Sequence, residues 1–152
     1  MLWQRKIKQV LQPYDLTHTQ FVILAVIEEL SEQEICVTQK KISDFSMIDV
    51  MTVSSTVRLL EKKGLLFRVP YEKDIRANSI SNTEKGKSCL QQAVVAVEGA
   101  DRTFFFPNDN ENIQFQNFLA DLLHKNLKWE QAAQRDNKKT VGMAAVLLYA
   151  LN

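Results

Sequence analysis

Glycine, proline, cysteine and histidine are all scarce in this sequence, which has 4 Gly, 3 Pro, 2 Cys and 2 His among 152 residues. Few glycines and prolines leave little room for the many tight turns of an all-β fold. Two cysteines do not make a disulfide framework, and two distant histidines lack the ligand spacing of a zinc site. The sequence has no P-loop, no GxGxxG motif and no nucleophile with a matching base. We therefore predict no metal site, no cofactor and no catalytic residue.

Targeting and membrane-spanning segments are missing as well. The N-terminus has no charged region followed by an apolar region, which argues against a secretory signal. The most apolar stretch, VGMAAVLLYALN at 141–152, is too short to span a bilayer. We therefore expect a cytoplasmic protein without a membrane partner. Its 45% apolar and 24% charged residues are ordinary for a globular chain, and its length suits one domain with a real core.

One helix-start signal occurs three times in the chain. Thr17 is a suitable N-cap, Gln20 falls at its capping-box position, and Leu16 and Phe21 flank the cap as a hydrophobic staple. The same staple surrounds two further caps, Thr38 and Asp49. Three starts of the same design predict three successive helices.

These helices have predictable ends. Pro13 is predicted to end a first helix, and a second helix is predicted to begin directly after its N-cap, Thr17. A short third helix is expected over about Gln39–Phe45, and a fourth from Asp49 to Lys63, ended by the glycine after it. The three residues SMI separate the last two helices, which predicts a helix-turn-helix. Helical bundles also contain such pairs of helices. The segment after the fourth helix therefore distinguishes a helix-turn-helix motif from an ordinary bundle.

Residues 68–87 are rich in charged side chains and poor in apolar ones, although they lie between two apolar segments. Their sequence is RVPYEKDIRANSISNTEKGK. GLLFRV, which overlaps its start, and RANSIS predict two short strands around a polar turn, hence a β-hairpin, or wing, that projects from the body. Thr83 would cap the next helix. Residues 58–87 hold eight Lys or Arg against four acidic residues. On charge alone, an anionic partner and a solvated loop are equally good explanations.

The predicted fourth helix has an apolar side and a polar side. Val53, Val57 and Leu60 recur at helical spacing and should point inward. The outer side would then carry Thr52, Ser54, Ser55, Arg58 and Lys62. Such a face could simply be solvated, but TVSST is a run of weak helix formers. Short hydroxyl side chains allow close approach to DNA, and Arg58 can reach a guanine or a phosphate, so we favour DNA binding.

Four stretches carry a family resemblance. LTHTQFVIL, VSSTVRLLEKKGLLFR, DIR and NTEKGK together resemble the MarR family of winged helix-turn-helix transcription regulators, from about Leu16 to Gly86. The resemblance implies that the fourth helix enters the major groove and that Arg76 enters or borders the minor groove. It also implies that Asp74 orients the wing by pairing with a basic residue, and Arg68 matches the family's basic residue after the KGL turn.

The predicted fold is therefore mainly α with a small β-hairpin wing. Residues 16–86 would form the winged helix-turn-helix DNA-binding region, and residues 1–15 and 87–152 helices for dimerisation, within one compact domain. The predicted DNA-binding residues are Thr38, Gln39, Thr52, Ser54, Ser55, Arg58, Lys62, Arg68, Lys73, Asp74 and Arg76. Asn82 departs from the family, which usually has Leu there, and we expect this to weaken packing at the wing base.

Apolar stripes continue on both sides of the winged region. They comprise Trp3, Ile7, Val10 and Leu11 at the start, Leu90, Val94, Val97 and Phe104 after the wing, and two further sets over 115–127 and 141–151. Together they offer more apolar surface than one small winged-helix body can cover. A homodimer through the terminal helices, as the family resemblance also implies, would cover the rest.

The predicted function is a DNA-binding transcriptional regulator, a homodimeric repressor that binds a pseudo-palindromic operator and is released by a small-molecule effector. The resemblance implies a small aromatic effector, for which Trp3, Tyr14 and Phe21 are candidate contacts. Cys36 and Cys89 do not match the positions of the family's sensing cysteines, so we expect them to be packing residues without a redox role. His18 is expected to be a surface residue of a helix. The alternative is a winged-helix protein-interaction module that binds no DNA.

Overall fold

A computed structural model describes residues 2–33, 36–71 and 74–105, together with the single positions 114, 117, 118 and 121. For residues 71, 74–77 and 105 it describes the backbone only. The helices are α1 Leu2–Leu11, α2 His18–Glu32, α3 Gln39–Ser46, α4 Val50–Lys62 and α5 Glu84–Phe105, and the strands are β1 Leu66–Tyr71 and β2 Asp74–Asn82. A short 3-10 helix, Gln12–Tyr14, links α1 to α2. The predicted fold class, mainly α with a β-hairpin, is confirmed.

The helix starts agree with the predicted caps. The Thr17 hydroxyl accepts a hydrogen bond from the Gln20 backbone N–H at 3.2 Å, and the Gln20 side chain accepts one from the Thr17 N–H at 3.1 Å. Thr38 and Asp49 likewise accept from the third residue of their helices, at 3.3 and 2.9 Å. Satisfying these otherwise unpaired N–H groups fixes where each helix begins. The ends differ from prediction by one residue, because α3 continues to Ser46 and α4 stops at Lys62.

The turn between α3 and α4 is built from local hydrogen bonds. Met47 ends α3 in the left-handed region, with φ 59°. The Ser43 hydroxyl donates to the Ile48 carbonyl at 2.7 Å, and the Ile48 N–H donates to the Ser46 hydroxyl at 3.3 Å. Because these side chains take the place of helical backbone partners, they redirect the chain within three residues. The predicted helix-turn-helix is therefore present.

The wing is a two-stranded antiparallel hairpin whose register places Leu66 opposite Asn82 and Arg68 opposite Ile80. The pairing becomes irregular beyond Pro70. Leu66 and Ile80 are buried, and the Ile80 N–H donates to the Val37 carbonyl at 2.9 Å. The base of the hairpin is thus fixed to the body by apolar contact and by a backbone hydrogen bond.

Asn82 is buried at the wing base, at 5% exposure, where the family pattern has Leu. Its side-chain amide donates to the Leu24 carbonyl at 2.9 Å and to a Glu28 carboxylate oxygen at 3.0 Å. These two bonds connect the end of β2 to the middle of α2. The expectation of weaker packing considered only the lost apolar contact, whereas the structure replaces it with hydrogen bonds that a Leu could not make.

One core joins the elements. Its fully buried residues come mainly from α2, with contributions from every other helix and both strands, and include Ile7, Leu11, Phe21, Ile23, Leu24, Ile27, Ile42, Val53, Leu60, Leu66 and Ile80. The Trp3 indole N–H donates to the Asp101 carboxylate at 2.8 Å and so connects α1 to α5. Burial raises the pKa of that carboxyl above its usual value. No helix in 2–33, 36–71 or 74–105 is long and apolar enough to cross a membrane.

Much of the predicted dimerisation region lies outside the described residues, including the stripe over 141–151 and most of that over 115–127. On α5, Leu90 and Val97 are buried as predicted, but Phe104 is 44% exposed. Leu2 and Val95 are 74% and 70% exposed. Both α1 and α5 therefore keep uncovered apolar side chains, and the division into DNA-binding and dimerisation regions stays a prediction.

Candidate nucleic-acid interface

The inner face of α4 is fixed by the core. Val53, Val57 and Leu60 are 0% exposed, as their helical spacing predicted. The opposite face is a single stripe at i, i+4, i+7 and i+11, which consists of Met51, Ser55, Arg58 and Lys62. All four side chains are exposed. We call these four residues the α4 stripe.

The stripe differs in part from the outer set predicted from the sequence. Thr52 and Ser54 are half-buried at its sides, whereas Ser55, Arg58 and Lys62 lie along its centre. The Ser55 hydroxyl donates to the Thr52 carbonyl at 3.0 Å and keeps its lone pairs free to accept. Met51 was not among the outer residues named from the sequence, although it belongs to the same stripe. Its spacing from Ser55, Arg58 and Lys62 was the signal that could have found it.

Charge pairing separates the basic residues of this region into two groups. Lys63 pairs with Asp15 and Lys87 approaches Glu28, with Nζ–carboxylate distances of 3.0 and 4.0 Å. By contrast, Arg58 and Lys62 have no acidic partner among the described residues. Two uncompensated cations on one exposed helix face attract an anionic partner.

Arg68 belongs to the paired group. Its Nε donates to both Glu61 carboxylate oxygens, at 3.1 and 3.0 Å, and its Nη2 lies 2.5 Å from one of them. This bidentate contact lowers the pKa of Glu61 and raises the pKa of Arg68. The structure thus places Arg68 as a link between β1 and α4. The same pair neutralises Glu61, which precedes Lys62 on α4, and a direct contact of Arg68 with DNA stays a prediction.

The remaining predicted contacts lie at the start of α3 and on the wing. Thr38 is the α3 N-cap and Gln39 its first residue, and both are half-buried. Lys73 lies outside the described residues, while Asp74 and Arg76 lie on β2 with only their backbone described. Their predicted roles, including the pairing of Asp74 with a basic residue, therefore stay predictions.

A cavity of about 580 Å³ lies beside α1 and the start of α2 and reaches the end of α4. Its wall includes Trp3, Arg5, Lys8, Asp15, His18 and Lys63. Of the three predicted effector contacts, Trp3 lines this cavity but Tyr14 and Phe21 do not. Phe21 is buried in the core, at 2% exposure, and Tyr14 packs against that core.

The cavity wall contains two side chains with contrasting charge, the neutral imidazole of His18 and the ammonium group of Lys63. His18 is half-buried rather than a surface residue, and burial lowers its pKa to about 4, so it is neutral at pH 7. Lys63 contacts the Asp15 carboxylate and carbonyl and the Gln20 side chain. Since Lys63 is also the C-cap of α4, it connects the cavity to the helix that carries the stripe.

The surroundings of Cys89 lower the reactivity of its thiol. Cys89 is half-buried with its Sγ 3.8 Å from the Tyr14 carbonyl, and burial raises the pKa of its thiol. A raised pKa keeps the thiol protonated and unreactive. Within the described ranges no three His, Cys, Asp or Glu side chains are grouped so that they could hold a metal ion.

A helix-turn-helix followed directly by a two-stranded hairpin defines the winged helix-turn-helix class. The family model described as ArnR1-like, winged-helix domain matches residues 12–98, which is more than half of the chain. The chain therefore belongs to the ArnR1-like winged-helix domain family, and it is a MarR-like transcriptional regulator. The family resemblance predicted from the sequence is confirmed.

Individual relatives agree with this assignment. The HTH-type transcriptional regulator YdcH of Bacillus subtilis is 39% identical over 120 residues, which cover 79% of each chain. A MarR transcriptional regulator from Methanosarcina mazei superposes with a TM-score of 0.70 at 27% identity, covering 82% of this chain and 88% of that one. A MarR variant from E. coli complexed with operator DNA has a TM-score of 0.66 at 21% identity, covering 80% and 85%. The family and these relatives are regulators rather than enzymes.

Proposed function

We propose that this protein is a homodimeric, cytoplasmic repressor that binds a pseudo-palindromic operator in double-stranded DNA. The observation that carries the proposal is the α4 stripe, where Arg58 and Lys62 are exposed and have no acidic partner in the described chain. The E. coli relative bound to operator DNA shares this fold and supports the same use of it. The alternative, a protein-interaction module, gives no reason for cations without partners beside short hydroxyl side chains.

In the proposed complex α4 lies in the major groove. Ser55 and Arg58 reach base edges, and Lys62, farther along the helix, contacts a phosphate. Arg76 on β2 reaches the adjacent minor groove from the wing. Asn82 holds the base of that hairpin on α2, and the Arg68–Glu61 pair ties β1 to α4, which supports a fixed relation between the wing and α4 as they meet neighbouring grooves.

The proposed dimer rests on the uncovered apolar side chains of α1 and α5. Leu2 and Val95 are 74% and 70% exposed in the single chain. Burying them against a second copy would recover about 25 cal/mol for each Å² of apolar surface removed from water. Two copies related by a two-fold axis require inverted half-sites about one helical turn apart. Duplexes selected from a random pool, together with sedimentation at micromolar concentration, test this, and a single uninverted site bound by a monomer would contradict it.

Arg58→Ala and Lys62→Ala should separate specificity from general attraction. Arg58→Ala should weaken binding to the selected duplex by about 1–3 kcal/mol and have much less effect on a scrambled duplex, because a bidentate contact to guanine is lost. Lys62→Ala should weaken both duplexes nearly alike and lower the slope of log affinity against log salt by about one, because one phosphate contact is lost. A salt titration of both duplexes by fluorescence anisotropy measures these effects.

Arg102→Ala is the charge control, since Arg102 is exposed on α5 and does not belong to the α4 stripe, and sedimentation checks that this variant keeps the proposed dimer. It should leave both affinities and the salt slope close to those of the unmodified chain. If Arg58→Ala weakened both duplexes equally, Arg58 would be a phosphate contact and not a base contact. If neither stripe variant changed binding, α4 would not be the DNA-reading helix and the protein-interaction alternative would be the better account.

The proposed effector is a small aromatic anion bound in the cavity beside α1. Trp3 offers an aromatic face there, and Arg5, Lys8 and Lys63 outnumber Asp15 among the charged residues of the wall. An anion that draws Lys63 away from Asp15 would remove the contact between the α1–α2 connection and the end of α4. Binding in the cavity is thereby coupled to the position of the DNA-reading helix.

Benzoate and benzamide, which have the same ring but differ in charge, test the effector proposal. We expect benzoate to lower the affinity for the selected duplex by about fivefold or more, within the usual range of allosteric coupling, and benzamide to have no effect. The comparison is made at constant ionic strength. Equal effects of the two compounds, or none at millimolar concentration, would rule out an aromatic anion as the effector.

A further inference from the structure

Met51 is more exposed, at 81%, than any other large apolar side chain in the described part of the chain. It lies in the first turn of α4, at the beginning of the stripe that continues with Ser55 and Arg58. Met47 and Val50 beside it are also half or more exposed, at 55% and 51%. An apolar cluster thus occupies one end of a face whose other end is cationic.

The major groove offers few apolar groups to such a side chain. Among the four bases, only thymine carries a methyl group on its major-groove edge, and apolar side chains recognise it by direct contact. Met is well suited to this contact because its long, flexible thioether adapts to an irregular surface. The cost of exposing Met51 in the free protein would then be recovered when DNA binds.

We propose that Met51 is a specificity-determining residue that contacts the methyl group of a thymine in each half-site. The inference rests on the proposed binding of α4 in the major groove. Met51 precedes Arg58 by seven residues, or about 10 Å along a helix that rises 1.5 Å per residue. With base pairs about 3.4 Å apart, and with a helix in the major groove inclined to the DNA axis, the thymine lies within about three base pairs of the guanine contacted by Arg58.

Charge favours DNA over a protein as the occupant of this face. The stripe that begins with Met51 ends in Arg58 and Lys62, which have no acidic partner within the described residues. DNA offers phosphates to the cationic end of the stripe and thymine methyl groups to its apolar end. A protein partner would need an acidic and an apolar patch at matching positions.

The test replaces each thymine of the selected duplex by deoxyuridine, one at a time. This change removes the methyl group and keeps base pairing intact. In each half-site, we expect one of these single replacements to weaken binding of the full-length protein by about fourfold. This factor corresponds to the free energy of burying one methyl group. In Met51→Ala the unmodified duplex should bind about fourfold more weakly, and the same replacement should have no further effect. The salt slope should not change, because an apolar contact releases no counterions.

Leu59→Ala is the matched control, because Leu59 is an exposed apolar residue of the same helix that lies off the stripe, at 49% exposure. This variant should keep the full deoxyuridine effect. The inference is overturned if no thymine is sensitive to replacement, or if the sensitivity persists unchanged in Met51→Ala. If selection enriches no sequence at all, the proposed function itself fails and this inference fails with it. A Met51→Ala protein that loses self-association instead of thymine sensitivity would assign the face to a second copy and also overturn it.

Discussion

Asn82→Asp should destabilise the fold by about 3–5 kcal/mol at pH 7, the cost typical of an uncompensated buried charge. The substitution preserves shape but replaces the amide N–H donor by a carboxylate oxygen. That oxygen would face the Leu24 carbonyl and the Glu28 carboxylate, which the amide now contacts at 2.9 and 3.0 Å. Because Asn82 is only 5% exposed, water screens the repulsion poorly, and Lys87, 4.0 Å from the other Glu28 oxygen, offsets it only in part. Urea denaturation measures the loss.

The loss should depend on pH in a direction that identifies its cause. Burial and the Glu28 carboxylate both raise the pKa of the introduced carboxyl in the folded state above its value of about 4 in the unfolded chain. The penalty is therefore full above the folded-state pKa, shrinks as the pH falls from there to the unfolded value, and is absent below that value, where the group is protonated in both states. Asn82→Leu is the control and should cost much less, because it buries no charge. A pH-independent loss would show that the introduced charge facing Leu24 and Glu28 is not its cause.

Gly86→Ala should destabilise the fold by about 3 kcal/mol or more, at the upper end of the range for overpacking. A Cβ atom at Gly86 would lie 1.9 Å from the Leu65 carbonyl oxygen and 2.9 Å from its carbon. That oxygen is fixed, because it accepts a hydrogen bond from the Thr83 N–H at 3.0 Å. Relief of the clash would therefore separate the start of α5 from the residue that precedes β1.

Gly99→Ala provides the opposite control on the same helix. A Cβ atom at Gly99 meets nothing within 4 Å. The substitution should therefore stabilise the protein by about 1 kcal/mol, because Ala is the better helix former. The two variants are compared by their urea midpoints at an unchanged m-value. Equal effects at the two glycines would mean that close approach of α5 to Leu65 is not what requires Gly86.

Local signals made much of the fold predictable. The caps at Thr17, Thr38 and Asp49 depend on residues only three positions away, so the sequence alone located three helix starts. The inward positions of Val53, Val57 and Leu60 follow from helical periodicity for the same reason. The wing was predictable because the charged segment 68–87 has no core of its own and contains a polar turn between two short strand-forming runs.

Long-range pairings were not predictable in this way. Lys63 and Asp15, and Asn82 and Leu24, are distant in sequence and meet only after the elements pack. Charge counts alone could not tell the paired Arg68 from the unpaired Arg58, although this difference decides which cation is available to DNA. Met51 was not named from the sequence although its spacing from Ser55, Arg58 and Lys62 places it on the outer face, and its exposure in the folded chain shows that it is not a core residue.

Methylation interference on the selected duplex tests most directly whether α4 reads the major groove. Dimethyl sulfate methylates guanine at N7, an acceptor that lies in the major groove and that a bidentate Arg contacts. Methylation of one guanine in each half-site should block binding of the unmodified protein, and in Arg58→Ala the remaining binding should be indifferent to the same modification. If no guanine interfered, or if the same guanines interfered equally in Arg58→Ala, the proposal that α4 carries Arg58 into the major groove would be contradicted.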